Sequence, residues 1–151
     1  MVGRDRMVLH RGLAAEQINI KYMEQRYIAG DWVRYIGIAS PIVVQITEVR
    51  EDKLLIYLGK CNWYLADYSE VKPITLTVEV LTCNGWRWSG EHEEFAKHGV
   101  AIYPVDNYYR PDIFNMKIRY VHELQHLLFG LGLDNYIKMP KNYILPKGGE
   151  K

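Results

Sequence analysis

Apolar and polar positions change their rhythm several times along the chain, and the first clear rhythm is that of strands. Trp32-Val33-Arg34-Tyr35 follows a Gly30-Asp31 turn. Pro41 to Val49, PIVVQITEV, is rich in β-branched residues and closes on the polar turn Arg50-Glu51-Asp52-Lys53. Leu54 to Leu58 resumes the apolar run, Gly59-Lys60 turns, and Asn62 to Ala66 supplies another aromatic strand. Asp67 to Val71 then leads into Lys72-Pro73. Four or five short, tightly connected strands predict a small curled β-barrel of SH3-like type over residues 27–73. Barrels of this kind hold peptides, nucleic acids or other domains, and the fold alone does not choose among them.

Residues 1–26 stand apart as an N-terminal extension. Within them Leu13 to Arg26 can form a helix, with Leu13, Ile18 and Tyr22 on one side. After Pro73 the pattern is two-sided. Ile74, Leu76, Val78 and Val80 alternate as in a strand, yet Thr77 can cap a short helix running to Cys83, with Asn84-Gly85 as its stop. Trp86-Arg87-Trp88 alternates before the turn Ser89-Gly90, residues 91–98 are polar and undefined, and Val100 to Val105 reads as a strand. Asp106 to Asp112 reads as a tyrosine-bearing loop. Residues 116–131 give the clearest helix: Leu127, Tyr120, Leu131, Leu124, Leu128 and Val121 fall within an arc of about 120°. These elements predict a smaller α+β part at 74–136 and a frayed tail at 137–151, with Pro140 and Pro146.

The composition narrows the class. A chain of 151 residues with 48% hydrophobic and 25% charged residues is an ordinary globular mixture. The formal net charge of +1 gives no broad attraction to nucleic acid or anionic membrane, although a local patch can exist. No apolar run approaches the roughly 18 residues of a membrane span, and the N-terminus carries no apolar signal core. Cys61 and Cys83 form no CxxC pair and read as buried or half-buried thiols of a reducing cytosol, with a disulfide as the alternative.

One motif carries sharp chemistry. His122-Glu123-Leu124-Gln125-His126 is H-E-x-x-H on a helix, where two imidazoles at i and i+4 can share one Zn²⁺ and the Glu can act as general base. Taken literally it is a zinc-dependent metallopeptidase. The third ligand is missing: the extended motif needs Gly where Phe129 stands and His where Gly132 stands. The downstream Glu150 lies in the tail, and His10, His92 and His98 reach the site only by folding back. On the helical wheel, the order running away from Ile118 is His122, His126, Arg119 and Glu123, all before the leucine arc begins at Leu127. Both histidines then sit on the polar side as solvated or rim residues beside a cation. We therefore assign no catalytic, metal or cofactor-binding residues.

The same helix carries a second pattern. Tyr120 to Phe129, YVHELQHLLF, resembles the Y-V-H-Q-L-Q-N-L-Y-F closing motif of a family of small uncharacterised phage and prophage proteins of gut bacteria. Tyr27 to Tyr35, YIAGDWVRY, resembles that family's opening L-R-I-G-N-W-V, and Val71 to Gly85, VKPITLTVEVLTCNG, its central I-K-P-I-P-L-T-E-E-W-L-x-K-x-G-F. The family shows Gln and Asn at the positions of Glu123 and His126, which makes H-E-x-x-H particular to this chain. The resemblance implies a short helix over Leu76 to Cys83. It also implies that Met23 is the original start and residues 1–22 an addition. It supplies no function.

Other chemistry is sparse. There is no P-loop, G-x-G-x-x-G or G-x-S-x-G. Glu91, Glu93, Glu94 and His92 read as a solvated turn. Trp86, Trp88, Tyr103, Tyr108 and Tyr109, near Arg110, Lys117 and Arg119, offer a stacking surface for single-stranded nucleic acid, or simply sheet packing. The sequence reads as a non-catalytic interaction module, a phage-encoded accessory protein in the host cytoplasm with a protein partner and no membrane. That reading predicts an exposed apolar patch on the barrel or beside the last helix.

Overall fold

The computed structural model describes residues 27–140. The expected N-terminal extension with its helix, and the tail beyond Pro140, lie outside the described residues. Among the described residues the fold is mostly β, with two sheets and two helices.

Five antiparallel strands make the first sheet: β1 (Trp32–Tyr35), β2 (Ile42–Val49), β3 (Lys53–Gly59), β4 (Asn62–Asp67) and β5 (Val71–Pro73). Their order is β4-β3-β2-β1-β5. Register shifts between Ile46 and Glu48 and between Tyr57 and Gly59 add a residue on one side of a pair, which bends a strand and strengthens its twist. The sheet so curls around Val33, Tyr35, Val44, Ile46, Leu54, Ile56 and Ala66, the alternate side chains that form its core. A single 3₁₀ turn at Tyr68–Glu70 links β4 to β5.

The second sheet follows: β6 (Arg87–Ser89), β7 (Glu94–Lys97), β8 (Val100–Val105) and β9 (Tyr108–Pro111), in that spatial order. Helix α1 (Val78–Cys83) precedes it and α2 (Val121–Gly130) follows it. Thr77 caps α1 by accepting the Val80 N–H at 3.3 Å, so the cap prevails over the alternating pattern of Ile74 to Val80. Val80, Leu81, Trp86, Phe95, Ile102, Ile118, Leu124 and Leu127 fill the core between sheet and helices. Each such fully buried aliphatic side chain contributes about 1.5–3 kcal/mol of transfer free energy.

Four segments differ from the sequence expectation. The closing helix begins at Val121, because Met116 to Tyr120 is extended: Ile118 pairs with Tyr109 and Tyr120 with Thr75. Those bridges take the backbone groups that a helix would use. Tyr108 to Pro111 is strand β9, held to β8 on one side and to Ile118 on the other, and Pro111 is tolerated at the strand end. Glu94 to Lys97, left undefined by its polarity, is strand β7. Finally, the expected tail does not begin at residue 137: Ile137 is buried in the second core, and its carbonyl accepts the Trp32 indole N–H at 2.6 Å.

The two cysteines are exposed and not buried. Cys61 lies in the β3–β4 hairpin turn, and Cys83 ends α1 on its solvent side. The Lys60-Cys61 turn has φ of +53° and +61°, a left-handed pair that Asn-Gly adopts more readily.

Candidate functional site

Two regions concentrate unusual side chains: a polar junction between the sheets and an apolar face on the first sheet. The junction starts at the Gly30-Asp31 turn. Gly30 has φ of +96°, a conformation in which glycine avoids the Cβ clash. Its N–H reaches Ile46 O at 2.7 Å, which leaves its carbonyl aimed at α2. Asp31 is fully buried, and its Oδ2 accepts the Ile28 N–H at 2.9 Å.

From α2, Gln125 is 1% exposed and makes three hydrogen bonds. Its Oε1 accepts the Trp32 N–H at 3.0 Å, and its Nε2 donates to Gly30 O at 2.9 Å and Asn135 O at 3.2 Å. Gln45 Nε2 also donates to Gly30 O, at 3.1 Å. His126 Nε2 lies 2.7 Å from Asp31 Oδ2. Burial holds the Asp31 carboxyl above the usual carboxylate range. The hydrogen bonds from His126 and the Ile28 N–H, and the His126 charge, oppose that shift without cancelling it.

The H-E-x-x-H residues therefore do structural work that the spacing alone does not reveal. His122 is 2% exposed, a correction to the solvated position expected for it. Its ring lies 5.0 Å from Tyr27 and stacks near Tyr120 at 5.9 Å. It is covered because α2 buries two faces, the leucine arc against the second core and the His122–Gln125 face against the first sheet. Glu123 accepts the N–H groups of Arg119 at 2.7 Å and Tyr120 at 3.1 Å through one oxygen, closing the helix N-terminus. His122 and His126 rings are 5.4 Å apart and nearly perpendicular, and His126 already faces Asp31. Among the described residues no three His, Cys, Asp or Glu side chains gather in a metal-binding group.

The second region is the outer face of the β3–β4 hairpin. Cross-strand pairs set Leu55 opposite Leu65 and Tyr57 opposite Trp63. The Tyr57 and Trp63 rings are 5.1 Å apart. Trp63 is 52% exposed, with Tyr57 and Leu65 near 40%. These four side chains form a continuous patch because successive residues of a strand point to opposite faces, and the buried Leu54, Ile56 and Ala66 occupy the inner one. Among the described residues, β4 pairs only with β3 and is an edge of the sheet. Its far end is closed by Glu70, whose Oε1 accepts the Asp67 N–H at 2.9 Å. The sequence marked the aromatic strand but not which face its rings occupy.

The stacking residues named from sequence separate in space. Trp86 is buried in the second core, so it offers no stacking surface. Trp88 lies 4.9 Å from Phe95, which lies 6.2 Å from Tyr109, on the sheet face that bears the core. Tyr103 and Tyr108 alternate to the opposite face, with Arg110.

Comparison with protein-family models, with curated proteins and with solved structures finds no match for this chain. Among the described residues no helix is long and apolar enough to cross a membrane.

Proposed function

We propose that this protein is a non-catalytic interaction module whose first sheet, an SH3-like curled barrel, docks a protein partner on the outer face of β3 and β4. The resemblance to phage and prophage proteins supports an accessory role in the host cytoplasm. The observation that carries the reading is the Leu55–Tyr57–Trp63–Leu65 patch. Isolated exposed apolar residues are ordinary, but a contiguous cluster with two aromatic rings is enriched at protein interfaces. Its place beside a sheet edge adds main-chain donors and acceptors to the same surface. The nearby Lys53–Asp67 ion pair gives the patch a polar rim.

A photo-crosslinking amino acid placed at position 63 or 65 tests it, with position 72 on β5 as control. In producing cells, crosslinked adducts from 63 and 65 that vanish on Tyr57→Asp support the reading. Adducts no more abundant than those from 72 overturn it. An adduct of twice the chain mass identifies the partner as a second copy.

A further inference from the structure

The outer face of the second sheet gathers cations and tyrosines. Alternation from the core residues Phe95 and Ile102 places Arg87, Ala96, Ala101, Tyr103, Tyr108 and Arg110 on this face. The Tyr109–Ile118 bridge extends it by one more strand segment. That bridge sets Lys117 across from Arg110 and Arg119 across from Tyr108. Lys117 Nζ lies 5.1 Å from the Tyr108 ring centre and the Arg119 guanidinium carbon 5.9 Å from it. Arg110, which donates to Asn115 Oδ1 at 3.2 Å, stands beside Tyr103 in the register.

Four cations, Arg87, Arg110, Lys117 and Arg119, thus share one face with two tyrosines, and all four are exposed. Among the described residues none of them is in an ion pair. The register brings two carboxylates to the same face, Glu94 and Asp112, which leaves it locally positive in a chain of net charge +1. The loop at its end carries exposed Phe114.

We propose that this face binds single-stranded nucleic acid. Charge complementarity selects a polyanion, because four cations without carboxylate partners can exchange their counterions for phosphates. The rings select single strands among polyanions. Tyr103 and Tyr108 stand between the cations, where unpaired bases can stack while Lys117, Arg119 and Arg110 take the flanking phosphates. Ala96 and Ala101 keep the floor shallow beside them. A duplex offers its phosphates but not its base faces, and an anionic bilayer offers no rings to stack. Strands spaced about 4.8 Å apart make the platform long enough for about four nucleotides.

Fluorescence anisotropy of the full chain with a fluorescein-labelled oligothymidine of about twelve nucleotides tests this. The expected result is binding at low salt, with log K falling against log salt at a slope of about −2 for three phosphates neutralised. Lys117→Glu with Arg119→Glu should abolish it, and Tyr108→Leu should weaken it about tenfold, a loss of one stacked base. Lys117→Arg should retain it, and Lys72→Glu on the first sheet should leave it unchanged. Circular dichroism of each variant verifies the fold. Three outcomes overturn the proposal: no binding at 50 mM salt, affinity for a duplex of equal length that matches or exceeds the single strand, or Tyr108→Leu binding as tightly as wild type. Tighter association with phosphatidylserine vesicles than with the oligonucleotide also overturns it, and reassigns the face to a lipid surface.

Discussion

Gln125→Leu should cost about 2–4 kcal/mol of folding stability, although it changes little volume and sits on no recognised site. The figure follows from three hydrogen bonds and what remains when each is lost. Gly30 O keeps its bond from Gln45 Nε2, so its loss is small. The Trp32 N–H has no such substitute: an orphaned buried donor costs about 1–3 kcal/mol. Asn135 O loses the Nε2 donor and adds about 1 kcal/mol. For a chain of this size about 3 kcal/mol lowers Tm by roughly 6–12 °C. Urea unfolding followed by circular dichroism measures the difference directly. Gln125→Glu supplies an internal control. Its second oxygen would face the carbonyls of Gly30 and Asn135, which the neutral acid tolerates and the carboxylate does not. The folded state therefore favours the protonated form. The Glu variant's deficit should be small at pH 4 and grow as pH rises toward 7. A Leu variant within about 0.5 kcal/mol of wild type, the range of ordinary surface substitutions, would refute the junction as a source of stability.

Asp31 gives a further pH signature. Because burial raises its carboxyl pKa in the fold, its contribution is fully present at acid pH and is lost as pH rises through the raised value. Asp31→Asn removes that loss, so its stability relative to wild type should improve between about pH 3 and pH 7, read from paired denaturation curves. Glu123→Ala should destabilise by about 1 kcal/mol through loss of the α2 N-terminal acceptor, and Glu123→Gln by less, since an oxygen remains. Lys60→Asn with Cys61→Gly should raise Tm by several degrees, at about 1 kcal/mol for each left-handed residue relieved. An unchanged Tm would show that the hairpin turn stores no strain.

The strands of the first sheet are legible in sequence because each carries its own signal. β2 is a β-branched run closed by a polar turn, and β3 and β4 flank Gly59-Lys60-Cys61. The short α1 was legible in the Thr77 cap but hidden under an alternation that suits a strand equally well. Tyr120 fits the helical arc and the strand alternation with Ile118 alike, so the apolar pattern extends the helix back to Met116. Its pairing partners, Tyr109 and Thr75, decide the matter. The burial of His122 could not be read from a helical wheel, which locates one apolar arc and not a second neighbour. That neighbour is the turn around Gly30, some 95 residues earlier in the chain. The polar junction was likewise invisible, since Asp31, Gln125 and His126 look like ordinary surface residues until the turn and the helix meet.

That separation has a consequence for the order of folding. The first sheet is built from hairpins, and β1 to β4 pair with their immediate neighbours, so its contacts close short loops. The Trp32–Gln125 and Gly30–Gln125 bonds close loops of 93 and 95 residues. Contacts so distant wait until most of the chain has collapsed. The curled sheet should therefore form early and the docking of α2 late, which makes the Gln125 junction the clasp that completes the native state. Substitutions there should speed unfolding and leave the folding rate almost unchanged.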